Sequence, residues 1–190
     1  MEDRSVTISR ARFSVEYPAS FMLVASMNPC PCGFYNHPEK ECMCAPGVVQ
    51  KYLNKISGPL LDRIDIHIEV TPVPFGELSR EQNAEKSHEI RERVLSARAL
   101  QKKRFAAYAG VHSNAQMSTK MLQTFCQLDE SCKTLLKNAM ERLGLSARAY
   151  DRILKVSRTI ADLDACEHIL PSHVAEAIQY RSLDRDSWAG

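Results

Sequence analysis

The sequence predicts a mainly helical chain of mixed class: an α/β fragment over residues 1–75, then an all-α part over residues 76–190. Three observations carry this. Before residue 75, apolar and polar residues alternate with the period of strands. Pro72 and Pro74 then form a short stiff connector. Beyond it, apolar residues recur at helical spacing between recognisable caps.

The elements follow in order. Val6 to Tyr17 (VTISRARFSVEY) alternates, with a phase slip at Arg10–Arg12, which predicts a hairpin or a bulged strand. Phe21 to Met27 is short and mostly apolar, as expected of a strand buried on both faces. Ile64, Ile66, Ile68 and Val70 alternate with Asp65, His67 and Glu69, so that strand should be half-exposed or flanked by polar contacts. Ser79 with Gln82 makes a capping box for a helix reaching Arg104. A second helix spans Asp129 to Leu143 and is ended by Gly144. Ser146 caps a third, Ala147 to Leu163, whose apolar face carries Tyr150, Ile153, Leu154, Val156 and Ile160. A last helix runs from near Pro171 to about Tyr180, and the polar tail from Asp184 should fray. Two adjacent apolar strands do not complete a sheet. The expectation is that another chain finishes it, or that this is the back half of a longer protein.

Composition sets few limits. The chain is 44% hydrophobic and 25% charged, as soluble globular proteins are. A net charge of +2 neither demands nor excludes nucleic acid. No apolar run approaches the roughly 18 residues of a membrane span. MEDRSVTIS lacks the shape of a signal peptide, so a cytoplasmic location is expected. The seven cysteines are an odd number, which argues against a disulfide framework. Cys126, Cys132 and Cys166 fall in helical patterns and should be buried small hydrophobes.

The polar residues that stand out lie mostly between Phe21 and Val70. Asn28 closes an apolar segment before Pro29. It either starts a turn or faces the ligand crevice found at strand ends in open α/β sheets. Arg63, in SGPLLDRIDI, is either a surface cation paired with Asp62 or Asp65, or an arginine offered to a phosphate. Arg148 stands at a helix start, where the macrodipole disfavours a cation. It is either solvated or turned to an anionic partner. Cys30, Cys32, Cys42 and Cys44 form two C-x-C pairs that can close a tetrahedral zinc site, with His37 as an alternative ligand. Free reduced thiols and a redox-sensing disulfide are the other readings. FCQLDE resembles the apolar strand and acidic pair that hold Mg in many NTPases, but its flanks are helical. Asp129 reads better as a helix cap, with Glu130 in the first turn. The seven glycines, at 33, 47, 58, 76, 110, 144 and 190, include no pair with the spacing of a phosphate-cradling G-x-x-x-x-G-K-[ST] loop.

Taken together, ASMNPCPCG, the two C-x-C pairs, SGPLLDRIDIHIEV and LSARAYDRILKVSRTIADL resemble the C-terminal portion of the magnesium-chelatase-like AAA+ ATPases, in their ComM/YifB competence-type group. The resemblance covers about Glu2 to about Tyr180. It implies the C-terminal strands of an AAA+ core, a helical lid, and a ring, usually a hexamer, that uses ATP and Mg. Asn28 would be the sensor-1 residue, Arg63 the arginine finger reaching a neighbour's nucleotide, and Arg148 the sensor-2 arginine. Arg10 and Arg12, on the hairpin, would be candidates to meet DNA phosphates. The family's Walker A and Walker B segments precede the matched region, so the 190 residues are expected to lack ATPase activity alone. Two rival readings are a chelatase subunit inserting metal into a tetrapyrrole and a non-catalytic zinc-binding interaction module.

Overall fold

The computed structural model describes residues 4–73, 76 and 85–181. These form two compact units, Met1–Leu53 and Asn54–Gly190. The sequence reading placed its boundary near residue 75.

The first unit opens with a hairpin. Strand β1 (Ser5–Arg10) pairs antiparallel with β2 (Phe13–Pro18), in a register that sets Val6 against Tyr17 and Ile8 against Val15. The phase slip at Arg10–Arg12 is the turn itself. Ala11 takes φ +48 there, a region that only glycine enters freely. Both faces are open: Ile8 is 58% and Phe13 79% exposed. A short helix, α1 (Val48–Leu53), closes the unit.

Phe21–Met27 corrects an expectation. It forms no strand and is not buried; Met22 is 87% and Val24 81% exposed. A central strand needs a neighbour on each edge, and the two-stranded β1–β2 ribbon is the sheet among the described residues.

The second unit is helical: α2 (Gly58–Leu61), α3 (Ser87–Arg104), a 3₁₀ turn (Asn114–Gln116), α4 (Thr119–Phe125), α5 (Glu130–Leu143), α6 (Ala147–Leu163) and α7 (Pro171–Gln179). The local signals explain the boundaries. Gly58–Pro59 starts α2 instead of only breaking the chain, because proline suits the first turn of a helix. The expected Ser79–Gln82 box lies outside the described residues. In its place, Glu89 Oε2 accepts the Lys86 N–H at 2.8 Å at the start of α3. Asp129 accepts the Cys132 N–H at 2.7 Å and caps α5, and Gly144 ends α5 at φ +59. Ser146 accepts the Ala149 N–H at 3.2 Å and caps α6.

Ile64–Val70, expected as a strand, runs without strand pairing, and its polar side is the docked one. Asp65 accepts from Arg152 at 2.9 Å, the His67 N–H donates to Tyr180 O at 2.8 Å, and Arg181 donates to Ile64 O. Ile68 and Val70 are left 68% and 85% exposed.

The core joins α4, α5, α6 and α7 through Met121, Leu122, Leu136, Ile153, Leu154, Val174 and Ala177, with Phe105 edge-on to Phe125 at 5.6 Å between ring centres. Of the five residues expected on the apolar face of α6, Ile153, Leu154 and Ile160 are buried, Val156 is partly buried, and Tyr150 is 41% exposed.

Beside this core lies a buried polar network. The Asp162 carboxylate accepts two hydrogen bonds from Arg104 at 2.5 and 2.7 Å. It also accepts one from Asn114 Nδ2 at 2.8 Å and one from Arg158 Nε at 3.2 Å. Arg158 donates onward to Glu167 O at 2.7 Å and Cys166 O at 2.6 Å. One carboxylate thereby ties the end of α3 and the 3₁₀ turn to α6, and through Arg158 to the loop after α6. Removing the charge strands two guanidinium groups in a nearly dry site, and breaking such a pair costs about 3–5 kcal/mol. Asp162→Asn should therefore lower the urea stability of the helical unit by about 3 kcal/mol, read from helix circular dichroism; a loss under about 1 kcal/mol, the scale of an exposed pair, would show that the network is not a constraint.

Two cysteines give a pH signature. Burial pushes the Cys126 thiol up to about 12 and Cys132 up to about 11, from an ordinary 9.0. Both thiols stay neutral in the fold where the unfolded chain would release protons. Their contribution is complete below the ordinary value and is lost as pH climbs through the folded values. The urea midpoint should fall between pH 9.0 and 11, and less steeply in a Cys126→Ala, Cys132→Ala variant; equal slopes would refute the burial account.

Candidate functional site

In the first unit, the candidate residues gather where Phe21–Met27 ends. Asn28 is exposed, and with Ser26, Met27 and Tyr52 of α1 it lines an open cleft of about 430 Å³. The backbone then turns through Pro29 into the cysteine loop. The turn is built locally: Gly33 N–H donates to Cys30 O at 3.0 Å and Gly33 takes φ +83.

The four clustered cysteines converge. Cys30 Sγ lies 3.3 Å from Cys32 Sγ and 3.8 Å from Cys42 Sγ, and Cys32 and Cys42 are 3.5 Å apart. All four sulfurs, including Cys44, fall within 4.8 Å of one another. All seven cysteines are free thiols. The Phe34 backbone N–H, aimed at the sulfur, draws Cys32 down to about 6. At Cys42 the Cys44 backbone N–H pulls the same way, but burial and the sulfurs of Cys32 and Cys30 outweigh it and leave that thiol at about 12. Close thiols cannot all ionise together without a cation among them. His37 is not drawn in as a ligand through Nδ1, which accepts the N–H groups of Glu39 and Lys40 at 3.1 Å each.

In the second unit, Arg63 follows α2 directly. Its backbone N–H donates to Leu60 O at 3.0 Å, and its guanidinium reaches back to Pro59 O at 2.6 Å. With that anchor the group is half-exposed. Arg148 is exposed in the first turn of α6, and no ion pair holds it among the described residues. Arg152, one helical turn on, binds Asp65, two residues on from Arg63. A single ion pair therefore links the segment carrying Arg63 to the start of α6. Sequence reading passed over Arg152, although its i, i+4 spacing from Arg148 marks a shared helix face. It passed over Tyr52 too, which carries no signal beyond its place in α1.

Arg10 and Arg12 are exposed at the end and turn of the hairpin. No helix among the described residues is long and apolar enough to cross a membrane. Among the same residues, the cysteine quartet is the one group of acidic, histidine or cysteine side chains placed to hold a metal. Its four sulfur donors do not suit Mg, which prefers oxygen ligands, and the 190 residues contain no G-x-x-x-x-G-K-[ST] loop.

Comparison with known proteins agrees along the chain. Residues 1–78 match the family described as magnesium chelatase, subunit ChlI, and residues 84–181 match magnesium chelatase, subunit ChlI C-terminal. Competence protein ComM of Haemophilus influenzae is 41% identical over 186 residues, covering 97% of this chain and 35% of its own length. The YifB proteins of Escherichia coli and Salmonella typhimurium are 40% and 38% identical over the same span. The chain thus spans about a third of the length of these relatives (35%). Two family matches that divide the sequence between them, and this identity across 97% of it, place the chain in the magnesium-chelatase-like family, in its ComM/YifB group.

Proposed function

We propose that these 190 residues are the sensor-and-finger part of a ComM-like AAA+ ATPase that couples ATP hydrolysis to the movement or remodelling of DNA. The observation that carries this reading is the setting of Arg63. Its guanidinium is braced by Pro59 O, half-exposed, and set next to a segment that Asp65 fixes to α6. A pre-positioned planar fork loses little freedom when it meets phosphate oxygens, and an arginine so placed stabilises the charge of phosphoryl transfer.

In this reading the helical unit is the lid. Arg148 approaches the nucleotide from the start of α6, while the exposed amide of Asn28 orients the attacking water or a γ-phosphate oxygen. ATP is the substrate, with Mg supplying charge neutralisation when bound. As the family resemblance implies, Arg63 acts on a nucleotide held by a neighbouring subunit in a ring. Arg10 and Arg12 add sequence-independent contacts to DNA phosphates. The competence role named for the Haemophilus relative favours DNA over a tetrapyrrole as the object of the work.

The test is a chimera in which this chain replaces the matching third of the Haemophilus relative. The chimera should hydrolyse ATP, and Arg63→Ala should cut turnover by about 10³-fold or more while nucleotide binding persists. Unchanged turnover would refute the finger role. In the same chimera, Arg10→Ala with Arg12→Ala should flatten the salt dependence of DNA binding by about two charges; an unaltered slope would remove the hairpin from the DNA path.

A further inference from the structure

We infer that Cys30, Cys32, Cys42 and Cys44 are the four ligands of a structural zinc ion that takes the place of a hydrophobic core in the first unit. The geometry is already that of a bound metal. With Zn–S near 2.3 Å, a tetrahedral tetrathiolate sets its sulfurs about 3.8 Å apart. The separations among Cys30, Cys32 and Cys42 are 3.3, 3.8 and 3.5 Å, and Cys44 completes the set within 4.8 Å. A disulfide would need about 2.05 Å. No such pair forms, and the S–S contacts are shared among three partners rather than resolved into two couples.

The backbone is arranged for thiolates. The Tyr35 N–H donates to Cys30 Sγ at 3.3 Å, across a turn that Gly33 makes possible at φ +83. The second C-x-C pair leads into Gly47 at φ +78 and then into α1. Each pair thus sits beside a left-handed glycine, which lets a short loop fold its sulfurs inward.

Among its described residues, the first unit buries little apolar surface. Its buried apolar residues, among those described, are Cys30 and Leu53. The hairpin is exposed on both faces, and residues 29–46 contain turns but no helix or strand. Loops of that length without secondary structure are uncommon unless something fastens them, and units that bury so little apolar surface need a metal or disulfides. Four soft sulfur donors in a tetrahedral array select zinc or an iron–sulfur centre. We commit to zinc, because the four sulfurs lie at single-ion spacing and one of them, on Cys30, belongs to a fully buried residue.

Such an ion has a definite mechanical effect. Asn28 precedes the first ligand by two residues, and α1, which carries Tyr52, begins four residues after the last. The ion would therefore fasten the Asn28 turn to α1 and fix the width of the cleft between Asn28 and Tyr52.

The experiment uses the full 190-residue chain, purified without a metal-binding tag. Elemental analysis should find about one zinc per chain, and the thiols of Cys30, Cys32, Cys42 and Cys44 should become reactive to a disulfide reagent only when a chelator is added, while Cys126 and Cys132 stay shielded by burial in the helical core. Refolding with Co²⁺ should give the visible ligand-field and thiolate charge-transfer bands of a tetrahedral tetrathiolate site. Cys32→Ser should lose the zinc, and Cys166→Ser should keep it. Helix circular dichroism should persist in both, so that metal loss is not mistaken for global unfolding. Protease should cut within residues 29–46 only after zinc is removed. The proposal is overturned if Cys30, Cys32, Cys42 and Cys44 react freely in the folded chain with no metal present, if the metal is iron, or if Cys32→Ser retains a full equivalent of zinc.

Discussion

The helical unit is organised around the buried carboxylate of Asp162. Four donors from three segments converge on its two oxygens: Arg104 from the end of α3, Asn114 from the 3₁₀ turn, and Arg158 from α6 itself. Apolar packing among α4 to α7 is non-directional and would tolerate sliding. Fixed hydrogen-bond geometry around one charge does not. Arg158 then carries the constraint to the loop that launches α7. Once α6 is fixed, so are the residues its first turns present: Arg148 to solvent and Arg152 to Asp65. The setting of Arg63 is thus downstream of a core ion pair.

What was legible in the sequence follows from how far each signal reaches along the chain. Asp129, Gly144 and Ser146 cap helices through contacts to residues within four positions, and those helices begin and end where the residues say. The hairpin was readable from alternation and its phase slip. Phe21–Met27 and Ile64–Val70 were misread because strands are completed by partners elsewhere, which no local pattern supplies. The polar contacts expected to flank Ile64–Val70 are there, through Asp65 and the His67 backbone, although no strand forms. The Asp162 network spans up to 58 positions and left no trace in periodicity. α1 and α2, at 6 and 4 residues, are too short to show any.

The candidate site divides the same way. The cysteine quartet was visible because its spacing is local, and the sulfurs do converge. Asn28 and Arg63 were singled out by sequence context, but the brace from Pro59 and the Asp65–Arg152 pair needed the fold. Exposed apolar residues on Phe21–Met27, on Ile66 to Val70 and on the hairpin belong with the same picture. Exposed apolar surface of that extent is the kind that marks an interaction face.

In the proposed function, this chain meets a nucleotide with an amide and two arginines but does not cradle it. Calorimetric titration of Mg-ATP tests that division directly, using the 190-residue chain alone and the chimera with the Haemophilus relative side by side. The account predicts saturable binding by the chimera and none by the chain alone up to millimolar nucleotide. Stoichiometric binding of ATP by the chain alone would contradict it.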